Sequence, residues 1–95
     1  MRLFLVGDDE ALDILAELSR HLDYFEVSRT DELPDAAGAD DHVVIGFVDG
    51  RRGRELYGRL LAGASPGFAD VLAEGDTAGA RAILIAAELI KKRRV

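Results

Sequence analysis

Three short stretches carry the residues that could do chemistry. They are Gly7-Asp8-Asp9-Glu10, Ser28-Arg29-Thr30-Asp31 and Asp49-Gly50-Arg51-Arg52-Gly53. Two ligand chemistries suit such residues. A hard divalent cation takes oxygens from a few carboxylates and keeps some of its water. A nucleotide phosphate takes backbone N–H groups at a glycine turn that opens a helix. Asp8, Asp9 and Asp49 are the candidate Mg²⁺ ligands. Gly7, Asp8, Asp9, Arg29, Gly50, Arg51 and Arg52 are the candidate nucleotide-binding residues, because planar guanidinium groups pair with phosphate or carboxylate.

Each group also has a plainer role. Asp8 or Asp9 can cap a helix whose dipole welcomes acids in its first turn. Asp49-Gly50 can make a turn. Arg51, Arg52 and Arg54 can pair with acids of this chain or of a partner. Counting decides among the uses of the first stretch. A dinucleotide turn needs glycine at its first, third and sixth positions. Here those positions hold Gly7, Asp9 and Leu12, so only the first is met. Helix capping therefore ranks first, a cation second and a pyrophosphate third. His21 and His42 have no partner at ligand spacing. Ser19, Ser28 and Ser65 sit in no nucleophile elbow. Catalysis is the least supported role.

The elements that must position these residues follow from hydrophobic period. Leu3–Val6 is a short strand, apolar on both faces. A helix follows with Ala11, Ile14, Leu15, Leu18 and Leu22 on one side, ended by Asp23-Tyr24. Phe25–Ser28 alternates as a second strand, and Arg29–Asp41 is a polar loop. His42–Val48 is β-branched and apolar throughout, which predicts the central strand, closed by Asp49. Glu55–Ala62 is a helix closed by Gly63. Ser65–Gly75 reads either as a short helix or, over Phe68–Ala73, as a fourth strand. Ser65 as cap, Pro66 at the first position and Gly75 past the end favour the helix. Asp76-Thr77 caps the last helix, Ala78–Lys92.

This order predicts one α/β domain over residues 1–95: a small Rossmann-like parallel sheet of three to four strands flanked by helices. The ligand crevice of such a sheet lies beyond the carboxyl ends of its strands. That placement would bring the three stretches together, with Gly75-Asp76-Thr77 beside them.

Composition excludes several classes. The chain has 95 residues, no cysteine and a formal net charge of −6. Disulfides and thiolate metal sites are ruled out. The acidic balance argues against nucleic acid and anionic membranes as partners. No apolar run approaches a membrane span and no signal-peptide pattern opens the chain, so a cytoplasmic location is expected. The last helix is apolar around most of its circumference, with a polar stripe of Arg81, Glu88 and Lys92. One small sheet cannot bury that surface, which predicts a homo-oligomer such as a dimer, or a partner protein, through residues 78–92. Lys91-Lys92-Arg93-Arg94 complements the negative end of that helix's dipole.

Two family resemblances follow from these residues. Phe4-Leu5-Val6-Gly7, Leu15-Ala16-Glu17-Leu18, Phe25-Glu26-Val27, Asp41–Ile45 and Gly75-Asp76-Thr77 with Ile83–Ile90 resemble the C-terminal Rossmann domain of the xanthine dehydrogenase accessory family (XdhC/CoxI type). That resemblance implies an accessory role in the maturation of molybdenum hydroxylases. Asp9 and Glu10 stand where that family has its second turn glycine and its histidine. The opening strand before Asp8-Asp9-Glu10 also resembles a response-regulator receiver domain, which implies a phosphoryl acceptor at Asp49. The receiver's lysine after its last strand has no counterpart here, since Lys91 and Lys92 follow a helix.

Overall fold

Two apolar pentapeptides, Arg2–Val6 (β1) and Asp41–Ile45 (β3), pair in parallel at the centre of the molecule. The computed structural model describes residues 1–22, 25–35, 37–72 and 78–94. All five residues of β3 are buried. A strand covered on both faces needs apolar side chains on both, which is why neither β1 nor β3 alternates simply. Glu26–Thr30 (β2) pairs with the outer side of β1, and Phe68–Val71 (β4) with the outer side of β3. The sheet is parallel throughout, in the order β2-β1-β3-β4. Three helices, Ala11–Arg20 (α1), Gly50–Gly63 (α2) and Ala78–Arg94 (α3), flank it in a small Rossmann-like α/β fold.

Alternation along the strands sorts the core into two layers. Leu3, Leu5 and Val44 point to one face and pack with Leu12 and Leu15 of α1 and Ile85 and Leu89 of α3. Val6, Val43 and Ile45 point to the other, against Leu60 of α2, Phe47 and Ala37. Each such fully buried aliphatic side chain stabilises the fold by about 1.5–3 kcal/mol. Among the described residues no helix joins β2 to β3, and Leu33 and Ala37 of the connecting loop supply cover on the α2 side of the sheet. Among the described residues no helix is long and apolar enough to cross a membrane.

The structure corrects four sequence expectations. Residues 68–71, where the sequence favours a helix over a fourth strand, are the strand β4. Pairing with the open side of β3 and the alternation of Phe68 and Leu72 against Ala69 and Val71 outweigh the helix-like punctuation at Ser65-Pro66. The central strand stops at Ile45 rather than Val48, because Gly46 carries the chain up into a turn. α2 starts at Gly50, five residues before Glu55, because Asp49 is extended and its Oδ1 accepts the Arg51 N–H at 3.1 Å. The buried stripe of α1 is Ala11, Leu12, Leu15, Ala16 and Ser19. Ile14 and Leu18 stay 41% and 42% exposed, since small residues let the helix lie close on the sheet while these two fall on its flank. The proposed helix end at Asp23-Tyr24 and the turn Gly75-Asp76-Thr77 lie outside the described residues.

Two polar devices fix the sheet's margins. At the amino-terminal end of the strands, Arg2 Nε and Nη2 donate to the two oxygens of buried Asp41, each at 2.8 Å, and Gly38 N–H adds a third bond at 3.0 Å. At the free edge of β4, the odd-numbered residues point their backbone groups outward. The Asp70 carboxylate takes the outward N–H of Val71 at 2.8 Å and is held in turn by Arg81 of α3. Tyr57 of α2 brings its hydroxyl to 3.5 Å from the Ala69 carbonyl.

The Arg2 guanidinium and the Gly38 N–H hold the Asp41 carboxyl below the usual carboxylate range. A carboxylate with a depressed native pKa stabilises the fold above its unfolded value of about 4, and that contribution disappears as pH falls through the native pKa. Asp41→Asn should therefore be less stable than the parent chain at pH 7 in urea unfolding. The gap should narrow steadily in measurements taken below about pH 4.

Candidate functional site

The strand order places the topological switch between β1 and β3. α1 leaves β1 toward one face of the sheet and α2 leaves β3 toward the other. In an open sheet the connections part there and a ligand enters. In this chain they are tied together. Gly46 N–H donates to the Val6 carbonyl at 2.8 Å, and Asp9 N–H donates to the Gly46 carbonyl at 3.1 Å. Asp8 Oδ1 accepts the Val48 N–H at 2.9 Å.

Gly7 makes this closure sterically feasible. Its φ of 134° is a conformation that L side chains rarely adopt. A Cβ at Gly7 would stand 1.8 Å from the Gly46 carbonyl oxygen. A Cβ at Gly46 would meet Leu72 Cδ1 at 2.8 Å and the Leu12 side chain at 3.2 Å. Two glycines face one another where a nucleotide turn would leave room for phosphate.

The three candidate carboxylates each serve the backbone. Asp8 holds Val48, Asp9 Oδ1 accepts the Ala11 N–H at 2.9 Å at the start of α1, and Asp49 caps α2. Asp49 stands four residues past the end of β3, correcting the expectation that it closes the strand. Among the described residues no group of three or more His, Cys, Asp or Glu is placed to hold a metal ion.

The candidate arginines separate into two places. Arg29, at the end of β2, donates Nη2 to the Gly7 carbonyl at 3.2 Å and pairs through Nη1 with Asp13 of α1. A shallow cleft of about 370 Å³ lies there, lined by Gly7, Asp13, Arg29, Thr30 and Asp31. Its cation is already engaged, and two carboxylates share the lining, so an anion would have to displace Asp13. Arg51 and Arg52 lie across the sheet on the first turn of α2, beside buried Gly50. The Arg52 guanidinium stacks 4.7 Å over the Phe47 ring. The structure thus brings Asp8 and Asp9 next to the turn that leads to Asp49. It does not bring Arg29 together with Arg51 and Arg52.

His21 is exposed near Glu17. His42 is buried between the Phe25 and Phe68 rings, with centroids at 5.4 and 6.2 Å. Sequence reasoning missed Gly46, whose role appears only once Gly7 is seen across from it. It also missed the bonds from Asp8 to Val48 and from Arg2 to Asp41, which span 40 and 39 positions.

Comparison with protein-family models, curated proteins and solved structures finds no match to this chain.

The closed switch point has a measurable cost when broken. Gly7→Ala should lower the unfolding free energy by about 3 kcal/mol or more, because the turn must shift away from Gly46 and leave its favoured backbone region. Asp8→Ala should lower it by about 1 kcal/mol, the usual value of one hydrogen bond. Urea denaturation of both variants checks the ranking.

Proposed function

We propose that this chain is a non-catalytic Rossmann-like domain that acts by protein contact, through α3, rather than by chemistry at its strand ends. One observation carries the reading. The switch-point crevice is filled by its own backbone, while α3 presents Ile83, Leu84 and Ile90 to solvent at 56%, 59% and 40% exposure. Large aliphatic side chains grouped on one helix of a small acidic protein are better explained by a covering surface than by solvation. A non-catalytic role also fits the engaged state of Asp8, Asp9, Asp49 and Arg29, each of which holds part of the fold in place.

A thermal-shift screen with NAD(H), ATP, Mg²⁺ and acetyl phosphate tests this reading. A ligand present at a hundred times its Kd adds about 2.7 kcal/mol to native stability. For a domain of this size that raises Tm by about 10 °C or more. The expected result is no shift with any of the four. A shift with NAD(H) or ATP, or one with Mg²⁺ that Asp49→Asn abolishes, would overturn the proposal in favour of a nucleotide or cation sensor.

A further inference from the structure

The two edges of the sheet are finished differently. On β4 the outward groups are met from within the chain: Asp70 takes the Val71 N–H, and the Tyr57 hydroxyl stands 3.5 Å from the Ala69 carbonyl. On β2 the Glu26 N–H donates to the Met1 carbonyl at 2.8 Å, and the Thr30 carbonyl accepts the Gly7 N–H at 2.9 Å. Even-numbered residues of β2 thus turn their backbone groups toward β1, and Val27 and Arg29 turn theirs outward. Among the described residues no hydrogen bond reaches the N–H or carbonyl of either. The strand carries neither proline nor a bulge. Its one basic side chain, Arg29, is drawn back to the Gly7 carbonyl and Asp13 rather than laid along the edge. An edge in this state is a template for another strand.

We propose that the outer edge of β2 receives an extended segment of a partner protein as a fifth strand, and that this segment alternates basic with apolar residues. The surface is separate from the exposed side chains of α3 and adds a second contact to the one proposed above. Main-chain bonds supply the pairing in such a complex, and alternate side chains supply the selection. On the α2 side of the sheet, a shallow cleft of about 270 Å³ flanks Ser28 and Thr30 and is lined further by Phe4, Leu33, Pro34, Glu32 and Asp35. This lining suits lysine or arginine, whose stem lies on apolar groups while its head meets a carboxylate. On the other side Val27 is half-buried against the α1 layer, and an apolar neighbour across the edge extends that cover. The surrounding charge agrees. Glu26, Asp31, Glu32 and Asp35 are exposed, and among the described residues none of them is ion-paired. A second copy does not meet this need, because pairing two β2 edges would set one acidic rim against the other.

The contact is small. Val27 and Arg29 offer one N–H and one carbonyl each, so the complex should be weak and quick to dissociate.

Titrating the full chain with a capped peptide of about seven alternating arginines and valines, followed by NMR, tests the proposal. The expected result is binding that weakens with salt, with exchange of the Val27 and Arg29 amide protons slowed at least about tenfold at saturation. Two further peptides, N-methylated at every arginine or at every valine, keep the charge. Only the one whose lost N–H groups face β2 should bind at least about tenfold more weakly. A peptide alternating glutamate with valine should not bind. Val27→Pro should abolish binding with an unchanged circular dichroism spectrum, since the N–H it removes lies outside the β1 ladder. Ile83→Glu, on α3, should leave binding within about twofold. Failure of the arginine–valine peptide to bind, or equal binding by both N-methylated forms, overturns the proposal. So does binding that Ile83→Glu abolishes. A dimer of the free chain that Val27→Pro dissolves would make a second copy the occupant and overturn the peptide. If Val27→Pro does not fold, the N-methylated pair decides on the unaltered chain.

Discussion

The close apposition of two turns, Gly7 against the Gly46 carbonyl, is the constraint on which the upper half of the molecule depends. It determines how near the β1–α1 and β3–α2 connections can come. Once they touch, Asp9 N–H finds the Gly46 carbonyl and Asp8 finds Val48 N–H. The N–H and carbonyl of buried Gly46 are then satisfied by Val6 and Asp9, while the exposed Val48 N–H is taken by Asp8. In an interior of low dielectric an unmade hydrogen bond is expensive, so a crevice built this way resists opening. The same acids that make the opening stretch look like a cation or phosphate site become fasteners between loops.

At the opposite end of the strands, Arg2 and Asp41 perform a related task with charge. Asp41 is buried and accepts three bonds, two from one guanidinium and one from the loop at Gly38. This arrangement fixes where β3 begins relative to β1. A shift of one residue would put Asp40 or His42 where the Asp41 carboxylate meets Arg2, so the pair also enforces register. The central strand pair is thus pinned at both ends, with apolar packing between.

The fold was legible where local pattern and tertiary context agree. β1, its glycine turn and α1 are contiguous in sequence and carry their own signals. β3 is apolar on both faces, which itself implies burial on both sides. Legibility failed where a distant neighbour decides the outcome. Phe68–Val71 is too short for its alternation to exclude a helix in the sequence, and its pairing with the open side of β3 makes it a strand. Ser19 is buried and Ile14 is 41% exposed because of how α1 is turned on the sheet, a fact absent from the α1 sequence. At the candidate site the local partner of Asp9, an amide two positions on at the start of α1, was readable as a helix cap, and Asp49 likewise bonds an amide two positions on. The partner of Asp8 was not readable, because it lies on a loop 40 positions away.

The treatment of the β4 edge has a kinetic consequence. The amide of Val71 points away from the sheet, yet its proton is held by Asp70, which Arg81 steadies from the neighbouring helix. Solvent exchange at that amide must therefore wait for the ion pair to release, even though it sits on the outermost strand. The margin of the sheet would report on the docking of α3: when the helix loosens, the Val71 proton is freed with it.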